Sequence, residues 1–275
     1  MPALKVDHLT LSDRDLDFLV QTASPEVADR ANLKRIIRED EDFRNTYIAD
    51  EKVFRRLMDD DEVFLKISPV LFFKILLRKA VNDLGKRSYT IEKTTTMRIP
   101  VFDTKDLVEL LNQESVLDYL AHMLSSFTRI NSYTISVRIG KGIWKKIRFN
   151  DLDIQSLKNF CESVEGEYRL AFYKRIADIC LFILGIFPDF AAQNYRYPLS
   201  RKIRPKVPGK ARVSPQEYEK EGQKFYKLAA QHQSAIELEL SETFWCLHQN
   251  FHKAKKPLNF IAEHYLQYRR QYLFS

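Results

Sequence analysis

His248 and His252 stand four residues apart in the run Cys246-Leu-His-Gln-Asn-Phe-His252. On one helix that spacing puts both imidazoles on the same face, within reach of a single metal ion. Cys246 would lie about 160° around that helix from His248, too far round to be a third ligand. No Glu follows His248, so the HExxH arrangement of zinc proteases is absent. The competing expectation is an aromatic-rich packing helix whose histidines sit near its C-terminal end, where positive charge is favoured. Nothing else in the sequence calls for a cofactor.

A second chemistry is polyanion binding. Residues 129–149 carry six basic side chains and no acidic one. Tyr133, Ile135, Val137 and Ile139 alternate with polar residues, Gly140-Lys141-Gly142 supplies a turn, and Ile143, Lys145, Ile147 and Phe149 continue the alternation. This predicts a β-hairpin. It follows a helical pair, the order found in winged helix-turn-helix domains. Arg138, Lys141, Lys145, Lys146 and Arg148 would then meet phosphates, and Trp144 would offer an aromatic face. The alternative is a solvated hairpin whose charges discourage edge-to-edge pairing. Residues 198–213 hold six more basic residues, three Pro, one Gly and no acid, and Arg201, Lys202 and Arg204 open this run. It reads as a basic linker or loop.

Other constellations are weaker. The acidic runs Glu39–Asp42 and Asp59–Glu62 lack both the spacing and the Gly of a calcium loop. No GxSxG, GxxxxGK[ST] or GxGxxG motif is present. Asp178 lies inside an apolar helical run, and a buried acid needs a partner. Arg175, three residues earlier, is the expected one, forming a structural acid pair.

The stretch around Asp178 also carries a resemblance. Tyr173, Asp178, Leu181-Phe182 and Gly185-Ile-Phe187-Pro188-Asp189 are similar to an element of an uncharacterised bacterial family. That family has Tyr, then Gly-Asp, Leu-Phe and Gly-x-Phe-Pro-Glu. Here Ala177 replaces the first Gly and Asp189 the final Glu. The segment Tyr119–Phe127 resembles its upstream helix. The group has no assigned activity, so the resemblance implies a bacterial source and transfers no functional residue.

The elements that must position these groups are mostly helices. Ser24-Pro25-Glu26, Ser68-Pro69 and Ser214-Pro215-Gln-Glu217 each read as a capped helix start. Leu71, Phe72, Ile75, Leu76 and Lys79 follow helical spacing toward a stop at Gly85, and residues 153–187 are helical with a break at Gly166. Tyr89, Ile91, Thr95, Met97, Ile99 and Val101 alternate as a strand pair, with Pro100 marking an edge strand. Two further helices are expected over 233–252 and 257–272. The fold expected is mainly α (helical, α+β) with two antiparallel β-hairpins, near 88–101 and 132–149. A helical core would span 1–197, a basic linker or loop 198–213, and C-terminal helices 214–275, packed on the core or semi-separate.

Only 7 of the 275 residues are Gly, which disfavours all-β and most nucleotide-binding folds. Three Cys without a CxxC point to a reducing compartment. No signal peptide is read at the start, and no apolar run reaches membrane-spanning length. The expectation is a cytoplasmic protein without a cofactor. With no catalytic constellation and with charge segregated along the chain, it works through protein–protein contacts. Nucleic-acid binding through the basic hairpin and linker is the alternative.

Overall fold

The computed structural model describes residues 11–60, 62–93, 98–128, 132–140, 143–150, 153–190 and 213–274. They form a mainly α protein with two separate antiparallel hairpins. The chain divides into two compact units. The first is Val6–Ser125 with Glu263–Tyr265, and the second is Ser126–Ala262 with Leu266–Ser275. This replaces the expected core of residues 1–197. The division falls near Ser125, because the C-terminal helices are needed to bury a central helix of the second unit.

In the first unit, α1 (Asp13–Ala23), α2 (Arg30–Glu39), α3 (Glu41–Ile48), α4 (Glu51–Asp59) and α5 (Val63–Lys66) lead to the long α6 (Pro69–Gly85). β1 (Thr90–Lys93), β2 (Arg98–Val101), α7 (Thr104–Asn112) and α8 (Glu114–Ser126) follow. Helix α6 starts as its sequence requires, with Pro69 in the first turn and the Ser68 hydroxyl accepting from the Leu71 amide at 3.2 Å. Ten of its seventeen residues are buried. Asp15, fully buried, accepts from the Ser12 amide and hydroxyl and from the Ser68 amide at 2.7 Å. One carboxylate thus ties the start of α1 to the start of α6. The expected helix start at Ser24-Pro25 is not used. Ser24 instead closes α1 and bonds the Tyr47 hydroxyl at 2.8 Å, and α2 begins at Arg30 under an Asp29 cap.

In the second unit, β3 (Ser132–Gly140) and β4 (Ile143–Asn150) precede α9 (Ile154–Ser163), a short 3-10 turn at Gly166–Tyr168, and α10 (Arg169–Ile186). After them come α11 (Pro215–Ala230), α12 (Gln233–Glu237), α13 (Ser241–Gln249), α14 (Phe251–Ile261) and α15 (Arg270–Leu273). Thirteen residues of α10 are buried, on every side of the helix, so α10 needs neighbours all round. Helices α9, α11 and α14 pack around it. Close approach is built in by glycine: a Cβ on Gly222 would lie 2.3 Å from the Phe251 ring, and one on Gly185 would lie 2.6 Å from Leu258 Cβ. Phe182 stacks on Phe127 at 4.0 Å, and Phe274 meets it edge-on at 4.9 Å. Ser214 and Glu217 make the expected capping box. The single helix expected over 233–252 is broken at Glu239, whose φ is 57°, and again at Asn250, while Pro257 lies inside α14. Among the described residues no helix is long and apolar enough to cross a membrane.

Candidate protein-interaction surface

The stretch from Lys66 to Arg87 carries six basic side chains, on helices and just beyond them. Its helical part is neutralised. Lys74 is fully buried on α6, with its Nζ 2.6 Å from both Glu114 and Asp118 of α8. Arg78 also pairs with Glu114. Lys79 reaches Glu51 at 2.8 Å and Asp83 at 3.1 Å, and Lys66 reaches Asp60 at 2.5 Å. Glu114 and Asp118 are four apart on α8, so they share a face and present two carboxylates to one ammonium. Burial pushes the Glu114 carboxyl up, but Lys74 and Arg78 together outweigh that and hold it below its ordinary value.

Beyond α6 the chain turns into the β1/β2 hairpin, where the polarity pattern reverses. Ile91 pairs with Pro100 and Lys93 with Arg98 in the ladder, and Tyr89 meets Phe102 one step further out, ring centroids 5.9 Å apart. Strand periodicity of two places these three pairs on one face. Tyr89 is 45% exposed, Ile91 53% and Phe102 77%, while Ile99, on the opposite face, is 41% exposed. Asp103 does not cap α7 with its side chain; its carboxylate accepts from the Thr90 hydroxyl at 2.7 Å and closes the base of the hairpin. The result is an aromatic and aliphatic row open to solvent, of the kind that marks an interaction site.

The second hairpin forms as the alternation requires. Its register pairs Arg138 with Trp144, Ser136 with Lys146 and Thr134 with Arg148. These positions share one face of the ladder. Val137 with Lys145, Ile135 with Ile147 and Tyr133 with Phe149 fall on the other. Lys145 is therefore separated by register from Arg138, Lys146 and Arg148. Lys141 lies outside the described residues, as do Arg201, Lys202 and Arg204.

The structure bears on two further candidate pairs. The buried Asp178 pairs with Lys174, at 2.6 Å, and accepts from the Tyr226 hydroxyl on the other carboxylate oxygen at 2.8 Å, two groups not foreseen beside Arg175. Four residues bring Lys174 to within about 40° of Asp178 around the helix, against about 60° for Arg175. The Arg175 guanidinium lies 4.0 Å from the Phe127 ring centroid and donates to the Ser126 hydroxyl at 2.9 Å. The single helix that would put His248 and His252 on one face is interrupted between them. Asn250 ends α13, so His248 sits on α13 and the exposed His252 on α14. His248 Nδ1 donates to the Gln223 carbonyl at 2.9 Å. Among the described residues no group of three or more His, Cys, Asp or Glu is placed to hold a metal ion.

A cleft of about 640 Å³ in the second unit is lined by Glu167, Arg169, Tyr173, His232, Ser234 and Glu237 among others. Its histidine serves the backbone. His232 Nε2 donates to the Gly166 carbonyl at 2.9 Å, and Nδ1 accepts from the Ser234 amide at 3.2 Å, capping α12. With both nitrogens engaged, the ring holds two backbone segments together. Cys161, Cys180 and Cys246 are not joined in disulfides, and burial pushes each thiol above its ordinary value, away from the nucleophilic thiolate.

Sequence reasoning found the β1/β2 strands but missed the surface they make. The signal was there in Tyr89 and Phe102, aromatic residues flanking a short edge-marked strand pair. Comparison with protein-family models, with curated proteins and with solved structures finds no match to this chain.

Proposed function

We propose that this is a non-catalytic cytoplasmic protein that works by docking a protein partner on the Tyr89, Ile91, Pro100 and Phe102 face of the β1/β2 hairpin. The observation that carries this reading is the exposure of that row as neighbours on one face, in a unit whose core seals a lysine and whose other strongly exposed apolar residue outside the hairpin, Leu65, stands alone on α5. An isolated two-stranded hairpin is marginal in water and gains stability from a covering layer. Three cysteines without a disulfide support a reducing compartment. The test is a displayed peptide library selected on the intact protein. Selected peptides should bind at least about tenfold more weakly to the Tyr89→Ala/Phe102→Ala variant, the loss expected for removing aromatic anchors. Peptides that bind both proteins alike would overturn the reading.

A second reading, nucleic-acid binding, is favoured by one observation: the β3/β4 register places Arg138, Trp144, Lys146 and Arg148 on a common face. Anisotropy with labelled single- and double-stranded DNA and RNA at several salt concentrations tests it. Binding with a steep salt slope that shallows in Lys146→Glu/Arg148→Glu supports it. Slopes unchanged by that variant would remove it.

A further inference from the structure

We infer that the cleft of the second unit is a binding site for a free amino acid with an apolar side chain. The inference is independent of the docking reading, since the hairpin belongs to the first unit and every residue lining the cleft to the second. At about 640 Å³ the cleft has the size of a small-molecule site, about 300–1,000 Å³. Arg169 and Tyr173 stand four apart on α10, so they share a face, and both line the cleft. The Arg169 Nε donates to the Val164 carbonyl at 3.1 Å. That bond fixes one edge of the guanidinium, and the other edge, Nη1 with Nη2, meets no described partner. A planar fork of this kind is the complement of a carboxylate. The Tyr173 ring contacts Phe225 and His232, with centroids 5.9 and 6.2 Å away, while its hydroxyl also meets no described partner. A carboxylate on the Arg169 fork would find that phenol as a further donor on the same helix face.

Two acids line the same cleft, Glu167 from the 3-10 turn and Glu237 from α12. Among the described residues no ion pair joins Arg169 to either of them. Of the Arg, Lys, Asp and Glu side chains in the lining, one is a cation and two are anions. A simple anion would be drawn by Arg169 and repelled by both acids, and a simple cation would meet the reverse. A ligand that carries both charges suits both sets, its carboxylate on the Arg169 fork and its ammonium toward Glu167 and Glu237. An α-amino acid is the smallest common molecule with that pair of charges. The apolar side chain follows from what flanks the lining in the chain. Tyr168 stands between Glu167 and Arg169, Ile236 stands next to Glu237, and both are more than half exposed. An apolar side chain on the ligand would cover them.

The test is isothermal titration of the full-length protein with L-phenylalanine and L-leucine, and with the analogues that lack one charge: phenethylamine and 3-phenylpropanoate, isopentylamine and 4-methylpentanoate. At least one amino acid should bind at millimolar concentration or below, and at least about tenfold more tightly than its own amine and acid analogues. Arg169→Gln should weaken that binding at least about tenfold. Because Arg169 also holds the Val164 carbonyl, a second variant separates charge recognition from local folding. Glu167→Gln/Glu237→Gln changes two exposed side chains and keeps their shape. It should weaken binding of the amino acid and strengthen binding of its acid analogue, so that the doubly charged ligand loses its advantage. Absence of binding by both amino acids at millimolar concentration overturns the inference. So does an amine or acid analogue that binds as tightly as its amino acid, or a Glu167→Gln/Glu237→Gln variant that keeps the original preference.

Discussion

Helix α6 seals Lys74 from solvent completely, whereas the hairpin that begins five residues after α6 ends leaves Phe102 77% exposed. Both belong to the same unit. The lysine can be buried because α8 brings Glu114 and Asp118 to it from one helical face. Among the described residues the two-stranded hairpin offers Phe102 nothing comparable. The difference separates two kinds of exception to the rule that charge goes out and oil goes in. A buried charge with two counter-charges is an element of the fold. An exposed aromatic row beside it, in a unit capable of that packing, is the feature on which the docking proposal rests.

The largest expected effect comes from breaking the buried side of this contrast. Lys74→Ala leaves two carboxylates facing each other with Arg78 alone to balance them. It should cost about 3–5 kcal/mol in denaturant unfolding. Lys74→Met combined with Glu114→Gln and Asp118→Asn should recover most of that loss, since an apolar replacement of a buried ion pair is often near neutral. A triple variant as unstable as Lys74→Ala would mean that packing of the lysine stem, not charge balance, holds α6 to α8. The network also sets an acid sensitivity. The Glu114 carboxyl is held below its ordinary value in the folded protein. Its contribution is therefore present above the unfolded value, about 4.3, and is lost as pH falls through the lower folded value. Glu114→Gln should flatten stability against pH in that window, and an unchanged profile would assign the acid response to other carboxylates.

The second unit tests whether the same logic holds for a buried acid. Lys174→Ala removes the ammonium from Asp178 and should cost about 1–3 kcal/mol, the range for a hydrogen bond to a buried charge. Arg175→Ala removes a cation from the Phe127 face and should cost less, about 0.5–1 kcal/mol. The reverse order would restore Arg175 as the functional partner of Asp178.

The two pairings also show what the sequence could and could not reveal. Capped starts at Ser68 and Ser214 were legible because capping is local: the side chain bonds an amide three residues on. Both hairpins were legible because a strand's period is visible in a few residues. Ser24 was misread because a tertiary contact, the Tyr47 hydroxyl, claims the side chain that would have capped a helix. The unbroken helix read through His248 and His252 was misread for a similar reason. Asn250 donates from its side-chain amide to the Cys246 carbonyl at 3.1 Å and ends the helix between the histidines. Lys74 gave no warning, since the acids that neutralise it come forty residues later. Exposure of Tyr89 and Phe102 was invisible because alternation fixes which residues share a face, not whether anything covers that face.

The smallest effect on folding should come from Phe102 itself, and its smallness is the informative part. Phe72→Ala, at a site with no solvent exposure, should cost about 3–5 kcal/mol. Phe102→Ala should change stability by no more than about 0.5 kcal/mol, as for surface positions generally. The unfolding midpoints of the two variants, measured side by side, make the comparison. If Phe102→Ala destabilises by several kcal/mol, the ring supports the hairpin through its contact with Tyr89 and the row is structural. If stability holds while a library-selected peptide no longer raises the midpoint of the variant as it does that of the unmodified protein, the ring serves the partner and not the fold, because a ligand stabilises only the native state it binds.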